Sequence, residues 1–336
     1  MSRTALYACL FFPLLLAAEA QGAQNEQFFR ELNLLAGYSR NEKWIGSFDE
    51  LKNSVGFEYY RRFSNEQGDY LTVDLQVRSG YDSRLDSDNA FGIEIHNAWL
   101  EYKLDIGRYL KIGHFDPAFG LEPLLDTHGT LLQTLAMRNI GFKKDWGIGY
   151  RSLLGDYDLE LAAQLGSGMP IRRTDGSFLL TARIGSSKNE DFKYGFSALY
   201  GRVLSAENDW TIPAKKALEN SVLKKRLGFD MQFPVGLFSF KAEFAAGTDE
   251  DRTVAGAMSQ IEYILPENQN LSLKLQGQYW TDKWETKGSR NLTIAPVAEY
   301  KMNPTTTFRI GYFNDLYAGS GNKDRIVVVQ LYYYGK

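Results

Sequence analysis

The sequence predicts an all-β fold, a 16-stranded antiparallel transmembrane β-barrel. Three observations predict it. Short runs that alternate apolar and polar residues recur from residue 30 to residue 334. The connections between them are long, then short, then long again. A stretch built like a secretory leader precedes them.

The leader comes first. Arg3 supplies a positive start, and Leu6 to Ala18 is an apolar stretch interrupted only by Pro13. Ala18-Glu19-Ala20 is a small-x-small cleavage site, and Gln21-Gly22-Ala23 offers a second. Residues 1–20 are therefore expected to be a cleaved signal peptide, with cleavage after 23 as the alternative, and 21–336 the barrel domain. An apolar run of 13 residues is too short to span a bilayer. The single cysteine, Cys9, opens the apolar run instead of following it, so lipidation is not expected. Its removal leaves no thiol for disulfides, catalysis or haem attachment.

Composition narrows the class. Of the 336 residues, 14% are aromatic, and Tyr (20) and Phe (21) far outnumber Pro (9), which favours strands. A mean hydropathy of -0.34 and the lack of an apolar run of ~20 residues exclude a helical membrane protein. A barrel escapes that test because half of each strand faces water. A net charge of -3 argues against nucleic acid as a partner.

Strands are expected near 30–39, 54–63, 69–78, 92–103, 109–115, 146–153, 157–165, 178–185, 192–201, 222–233, 237–247, 255–264, 271–280, 290–301, 306–313 and 324–334. In one run Phe238, Phe240, Ala242, Phe244 and Ala246 alternate with Ser239, Lys241, Glu243 and Ala245. Successive strand side chains point to opposite faces, so one face is greasy and the other wet. The lipid-facing sets include Val55, Phe57 and Tyr59; Tyr194, Phe196, Ala198 and Tyr200; and Leu227, Phe229, Met231 and Phe233. Aromatics fall at the ends of such sets, as interfacial girdles require. Pro296 interrupts one strand, where it removes a ladder donor and points to a bulge or a different register.

Connections after odd strands are mostly long, including 40–53, 79–91, 116–145, 202–221 and 281–289. Those after even strands are mostly short, including Ser64 to Gly68, Leu104 to Arg108, Pro234 to Gly236 and Leu265 to Asn270. Short periplasmic turns, long outer loops and an even strand number place both termini in the periplasm.

Asn97-Ala98-Trp99-Leu100-Glu101-Tyr102-Lys103 and Leu110-Lys111-Ile112-Gly113-His114-Phe115-Asp116-Pro117-Ala118-Phe119-Gly120-Leu121-Glu122 form a strand, a tight turn, a strand and a Pro/Phe-Gly-Leu-Glu loop start. This segment resembles the phosphate-selective porin O and P family of Gram-negative outer membranes. The resemblance implies a sixteen-stranded, usually trimeric channel in the cell outer membrane. It departs from the family in two places. No dense Arg or Lys ladder of the kind that guides phosphate is present, and Gly335 and Lys336 follow the last aromatic.

The longest connection, Asp116 to Asp145, follows strand five. It is too apolar to lie open in water, with Leu121, Leu124, Leu125, Leu131, Leu132, Leu135, Met137, Ile140 and Phe142 needing cover. It is expected to fold inward and narrow the bore. Its candidate constriction residues are Glu122, Asp126, His128 and Arg138. On the wall, Glu58, Asp74, Lys111, Glu160, Lys241, Glu243, Lys274 and Arg309 point inward near mid-height. Their mixed signs predict weak ion selectivity. Arg62, Arg78, Arg151, Arg183 and Arg226 lie nearer the rims and would draw anions to the mouths.

These observations predict a passive channel for small hydrophilic solutes, with outer-membrane lipid as a partner; the resemblance implies a homotrimer and anions such as phosphate among the solutes. A sheath around a periplasmic partner and an outer-membrane hydrolase are the other readings. No nucleophile elbow, metal-ligand spacing or phosphate loop accompanies His96, His114 and His128, so no catalytic residue, metal or cofactor is expected.

Overall fold

The computed structural model describes residues 24–41, 43–48, 51–83, 90–125, 129–138, 140–168, 176–187, 190–204, 221–286, 289–319, 321 and 323–336. The expected signal peptide lies outside the described residues, as do Asp126 and His128.

Sixteen strands form the wall: β1 (Gln24–Ser39), β2 (Leu51–Asn65), β3 (Gly68–Tyr81), β4 (Phe91–Asp105), β5 (Arg108–Phe115), β6 (Asp145–Leu154), β7 (Tyr157–Gln164), β8 (Phe178–Ser186), β9 (Lys193–Leu204), β10 (Ser221–Val235), β11 (Phe238–Asp249), β12 (Arg252–Ile264), β13 (Leu271–Thr281), β14 (Arg290–Asn303), β15 (Thr306–Ala318) and β16 (Arg325–Gly335). Two short strands, Lys43–Ile45 and Ser47–Phe48, belong to the first long connection. Each wall strand pairs antiparallel with its sequence neighbours. The sheet closes where β1 meets β16, from Arg30 opposite Gly335 to Ser39 opposite Ile326. Closure leaves no unpaired sheet edge, the condition for a sheet to cross a membrane. Gly335 is thus part of the closing ladder, and Lys336 alone follows it.

The outward face is apolar. Leu227, Phe244, Leu273, Leu275 and Ile310 are all exposed there. Aromatic pairs band both ends. At the short-turn end Phe233 lies 5.3 Å from Phe240, Phe192 5.5 Å from Phe233 and Phe238 4.8 Å from Tyr263. At the long-loop end Tyr38 pairs with Trp44, Tyr81 with Phe91 and Phe178 with Tyr200. Two such belts separated by an apolar band are what a bilayer selects.

Register shifts occur in several ladders, and one of them re-aims β4. A bulge in β4 sets Asn97 opposite Gln76 but Ile95 opposite Val77, so His96 is the extra residue. The outward positions therefore switch from Phe91 and Ile93 to Leu100, Tyr102 and Leu104. Pro296 is not bulged. It stays opposite Leu275 of β13, on the outward face. The ladder to β15 instead omits the two pairs between Ile294–Asn314 and Val297–Gly311 while keeping its register, which spares the missing donor.

Candidate functional site

Four strands, β8, β9, β11 and β12, carry inward apolar side chains that are wrong for a water-filled tube. Leu179, Leu199, Val203, Ala245, Val254 and Met258 point inward from β8 to β12, yet all are buried. They are covered by Phe119, Leu121, Leu135, Ile140 and Phe142 of the connection 116–144. A second cluster joins Leu131 and Leu132 of that connection to Leu35, Val297, Phe313 and Val328. Burial of these side chains removes apolar surface from water at both partners.

Hydrogen bonds fix the same connection to inward side chains of seven strands. Ala118 N donates to Thr181 Oγ1 at 3.0 Å and Gly120 N to Ser197 Oγ at 3.2 Å. Glu243 accepts the backbone N–H of Leu121 at 3.4 Å and of Leu135 at 3.1 Å. Arg226 Nε donates to Ile140 O at 2.9 Å. Gln276 and Gln278 both donate to Gln133 O, at 3.0 and 2.7 Å. Arg309 Nη1 and Gln330 Nε2 donate to Gly129 O at 2.7 and 3.0 Å. Buried backbone groups outside a ladder need such partners.

Opposite this packed side lies a cavity of about 440 Å³, bounded by strands β2 to β7 and by the two ends of the connection. Six carboxyls line it: Glu58, Asp74, Glu101, Asp116, Glu122 and Glu160. Four cations do so as well: Lys111, Lys143, Lys144 and Arg151. Each cation meets a carboxylate. Lys111 lies 3.3 Å and Arg151 3.4 Å from Glu101. Lys143 is 2.8 Å from Glu122, and Lys144 2.7 Å from Asp116. The aromatic lining also holds cations, with Lys111 Nζ 4.2 Å above Trp99 and the Arg151 guanidinium 4.4 Å above Tyr109.

The expected site residues divide between these two sides. Glu58, Asp74, Lys111, Glu160 and Glu122 line the open cavity. Glu122 is 3% exposed, held by Lys143 and by the Thr134 hydroxyl. Lys241, Lys274 and Arg309 also point inward, but they sit behind the connection at a residual space of about 80 Å³. There Glu299 links Lys274 (3.2 Å) to Arg309 (2.5 Å). Glu243 is covered by the backbone it holds. Arg138 packs its guanidinium 4.7 Å over Trp280 and donates to Gln278 Oε1 at 2.9 Å, away from the open cavity. Sequence reasoning missed Trp99, Glu101, Asp116, Lys143 and Lys144 as lining residues. The Lys143-Lys144 pair at the end of an apolar loop was the available signal.

The basic residues assigned to the rims have acidic partners. Arg183 and Asp230 form a fully buried pair at 2.6 Å. Arg226 and Lys224 share Asp249, at 2.7 and 3.5 Å. Arg78 meets Glu94 at 2.9 Å. His114 is fully buried against Trp146, with Nδ1 3.0 Å from the His96 carbonyl oxygen.

No protein-family model matches this chain, and no curated protein matches it. Solved structures do resemble it. An anion-selective porin from Comamonas acidovorans superposes with a TM-score of 0.66 at 10% identity, over 93% of this chain and 100% of the porin. OmpF of Salmonella typhi gives 0.64 at 9% identity, over 92% and 97%. The outer membrane channel DcaP of Acinetobacter baumannii gives 0.62 at 12% identity, over 94% and 99%. The chain has the closed 16-stranded barrel fold of these outer-membrane proteins.

Proposed function

We propose that this protein is a channel of the Gram-negative outer membrane, exported through a signal peptide and passing small hydrophilic solutes by diffusion. The observation that carries the reading is the polar cavity of about 440 Å³ left between the connection 116–144 and strands β2 to β7. Sixteen-stranded barrels are wide enough for an aqueous bore. Apolar packing fills one side of this one, so the connection acts as a constriction and the solute path runs off-centre. Glu58, Asp74, Lys111, Glu122 and Glu160 are the path-lining residues of this reading. Glu243 and Arg309 hold the constriction in place, Arg138 ties it to Gln278, and Lys241 and Lys274 line the small space behind it. Asp126 and His128 belong to the same connection as further constriction candidates.

Phosphate selectivity, which the family resemblance implies, receives little support from this lining. Six carboxyls face four cations, and every cation has a carboxylate within 3.4 Å. Such a mixed wall favours weak selectivity. The trimer implied by the same resemblance would use outward faces. A shallow outward depression of about 970 Å³ between β6 and β11, with Ala163, Ala182, Ala198 and Ala246 in its floor, offers close approach for a neighbouring wall. Crosslinking in native membranes reads that assembly.

The sheath reading needs an open bore, and the packing on β8 to β12 works against it. For an outer-membrane hydrolase no observation speaks: His114 is a buried wall residue. The test is single-channel recording on the purified protein, with ion-reversal potentials under a salt gradient. Stepwise ohmic current with weak selectivity is expected. A folded barrel that inserts but carries no current would sink the proposal.

A further inference from the structure

Asp74 lines the cavity as a nearly buried carboxyl. It is 5% exposed, and its Oδ2 accepts a hydrogen bond from Asn97 Nδ2 at 3.1 Å. Its Oδ1 is buried and has no hydrogen-bond partner. A carboxylate has about four acceptor sites, and a buried one left unmet is costly. The nearby cations are engaged elsewhere. Lys111 is held by Glu101. Lys144 is held by Asp116 and also meets Asn97 Oδ1 at 3.0 Å. Glu58 stands on the same inward face one strand away. Tyr60 pairs with Asp74 and Glu58 with Gln76, so Glu58 and Asp74 are diagonal neighbours. Diagonal positions lie roughly 7–8 Å apart. The Glu58 Oε2 accepts the Tyr334 hydroxyl at 2.7 Å. Two carboxyls thus face one cavity from adjacent strands, and one of them holds an unmet acceptor.

We propose that Asp74 and Glu58 form a cation subsite inside the channel, for a small organic cation bearing a primary ammonium. The proposal rests on the channel reading above and names the solute class that reading leaves open. An ammonium brings three donors and no acceptor. One donor is directed to the Asp74 carboxyl, and the others to Glu58 and to water. A metal ion is the poorer occupant: among the described residues no group of three His, Cys, Asp or Glu side chains converges to ligate one. Hard cations take six or more oxygen ligands, or keep much of their water. The cavity already seats an ammonium on its aromatic wall, since Lys111 Nζ lies 4.2 Å over Trp99 and 5.9 Å over Phe115. Its volume of about 440 Å³ accommodates an alkyl chain of several carbons behind the ammonium. Retention is weak, because a permeating solute must leave as well as enter.

The experiment uses 1,4-diaminobutane and the purified full barrel. In planar bilayers, the diamine is expected to lower the single-channel current, and the reversal potential to lean towards cations. Asp74→Asn is expected to weaken the block at least fivefold and to move the reversal potential towards zero. Glu58→Gln is expected to act in the same direction and serves if Asp74→Asn does not fold. Glu66→Gln, in an exposed short turn, controls for general loss of charge. An equal block in wild type, Asp74→Asn and Glu58→Gln overturns the subsite. So does an effect of Glu66→Gln as large as theirs. Isothermal titration of the diamine in detergent separates the two readings. Saturable binding that Asp74→Asn abolishes supports the subsite even in a barrel without current, whereas no binding to the wild type overturns it.

Discussion

The Glu243 carboxylate, projecting inward from β11, accepts the backbone N–H of Leu135 at 3.1 Å. The same carboxylate takes the N–H of Leu121 at 3.4 Å, so one wall residue holds two distant points of the connection 116–144. Replacing it with alanine strands two buried donors, at about 1–3 kcal/mol each. Glu243→Ala is expected to loosen the constriction, which single-channel recording reads as larger and noisier steps. Glu243→Gln keeps one acceptor and is expected to fall between. A variant with wild-type conductance would show that Glu243 does not hold the bore.

Gly120 gives an independent handle on the same contact. Its φ is +60°, a region that costs any residue with a Cβ, and a Cβ there would run into Glu243 Oε1. Gly120→Ala is expected to reproduce the Glu243→Ala conductance. The double variant is expected to add little to either, since both act on one contact. Full additivity in the recorded step size would contradict the coupling.

Arg183 and Asp230 are buried together at 2.6 Å in the inward wall of β8 and β10. Removing one partner leaves a buried charge without its counterion, at a cost of about 3–5 kcal/mol. Arg183→Met is expected to lower the temperature at which the barrel loses its folded gel mobility. Arg183→Met with Asp230→Leu is expected to recover much of that loss. No recovery in the double variant would mean that the pair's neighbours, not its charges, set the stability there.

Phe229 faces outward at the middle of β10, and Gln232 faces inward on the same strand. Phe229→Arg is expected to destabilise the lipid-inserted barrel by about 2–4 kcal/mol. Gln232→Arg is expected to change it far less. Urea unfolding from lipid vesicles measures both, and equal losses would place the membrane face elsewhere.

The strand count and the long/short rhythm were legible because alternation has a period of 2 and turns recur between runs. All sixteen expected runs lie on wall strands, and most strands extend beyond them. β1 begins at Gln24, where both faces are polar near the short-turn end and alternation loses its contrast. The His96 bulge was not legible, because Phe91, Ile93 and Ile95 alternate as cleanly as Leu100, Tyr102 and Leu104 in a shifted frame. Pro296 looked like a fault in register, but a break in one ladder absorbs it. For the site, orientation could be read and depth could not. Lys111 and Lys241 both point inward by parity, and only the course of the connection separates the open cavity from the packed side. The pairing of Lys144 with Asp116 spans 28 positions and leaves no periodic trace.

That separation is the central claim, and thiol accessibility tests it most directly. In a Cys9→Ser background, Lys111→Cys and Lys241→Cys are each recorded in planar bilayers while a charged thiol reagent is added. A path along β2 to β7 predicts that the reagent lowers the current of Lys111→Cys and leaves that of Lys241→Cys unchanged. Block at Lys241→Cys with none at Lys111→Cys would place the bore on the other side of the connection, and the account would be wrong.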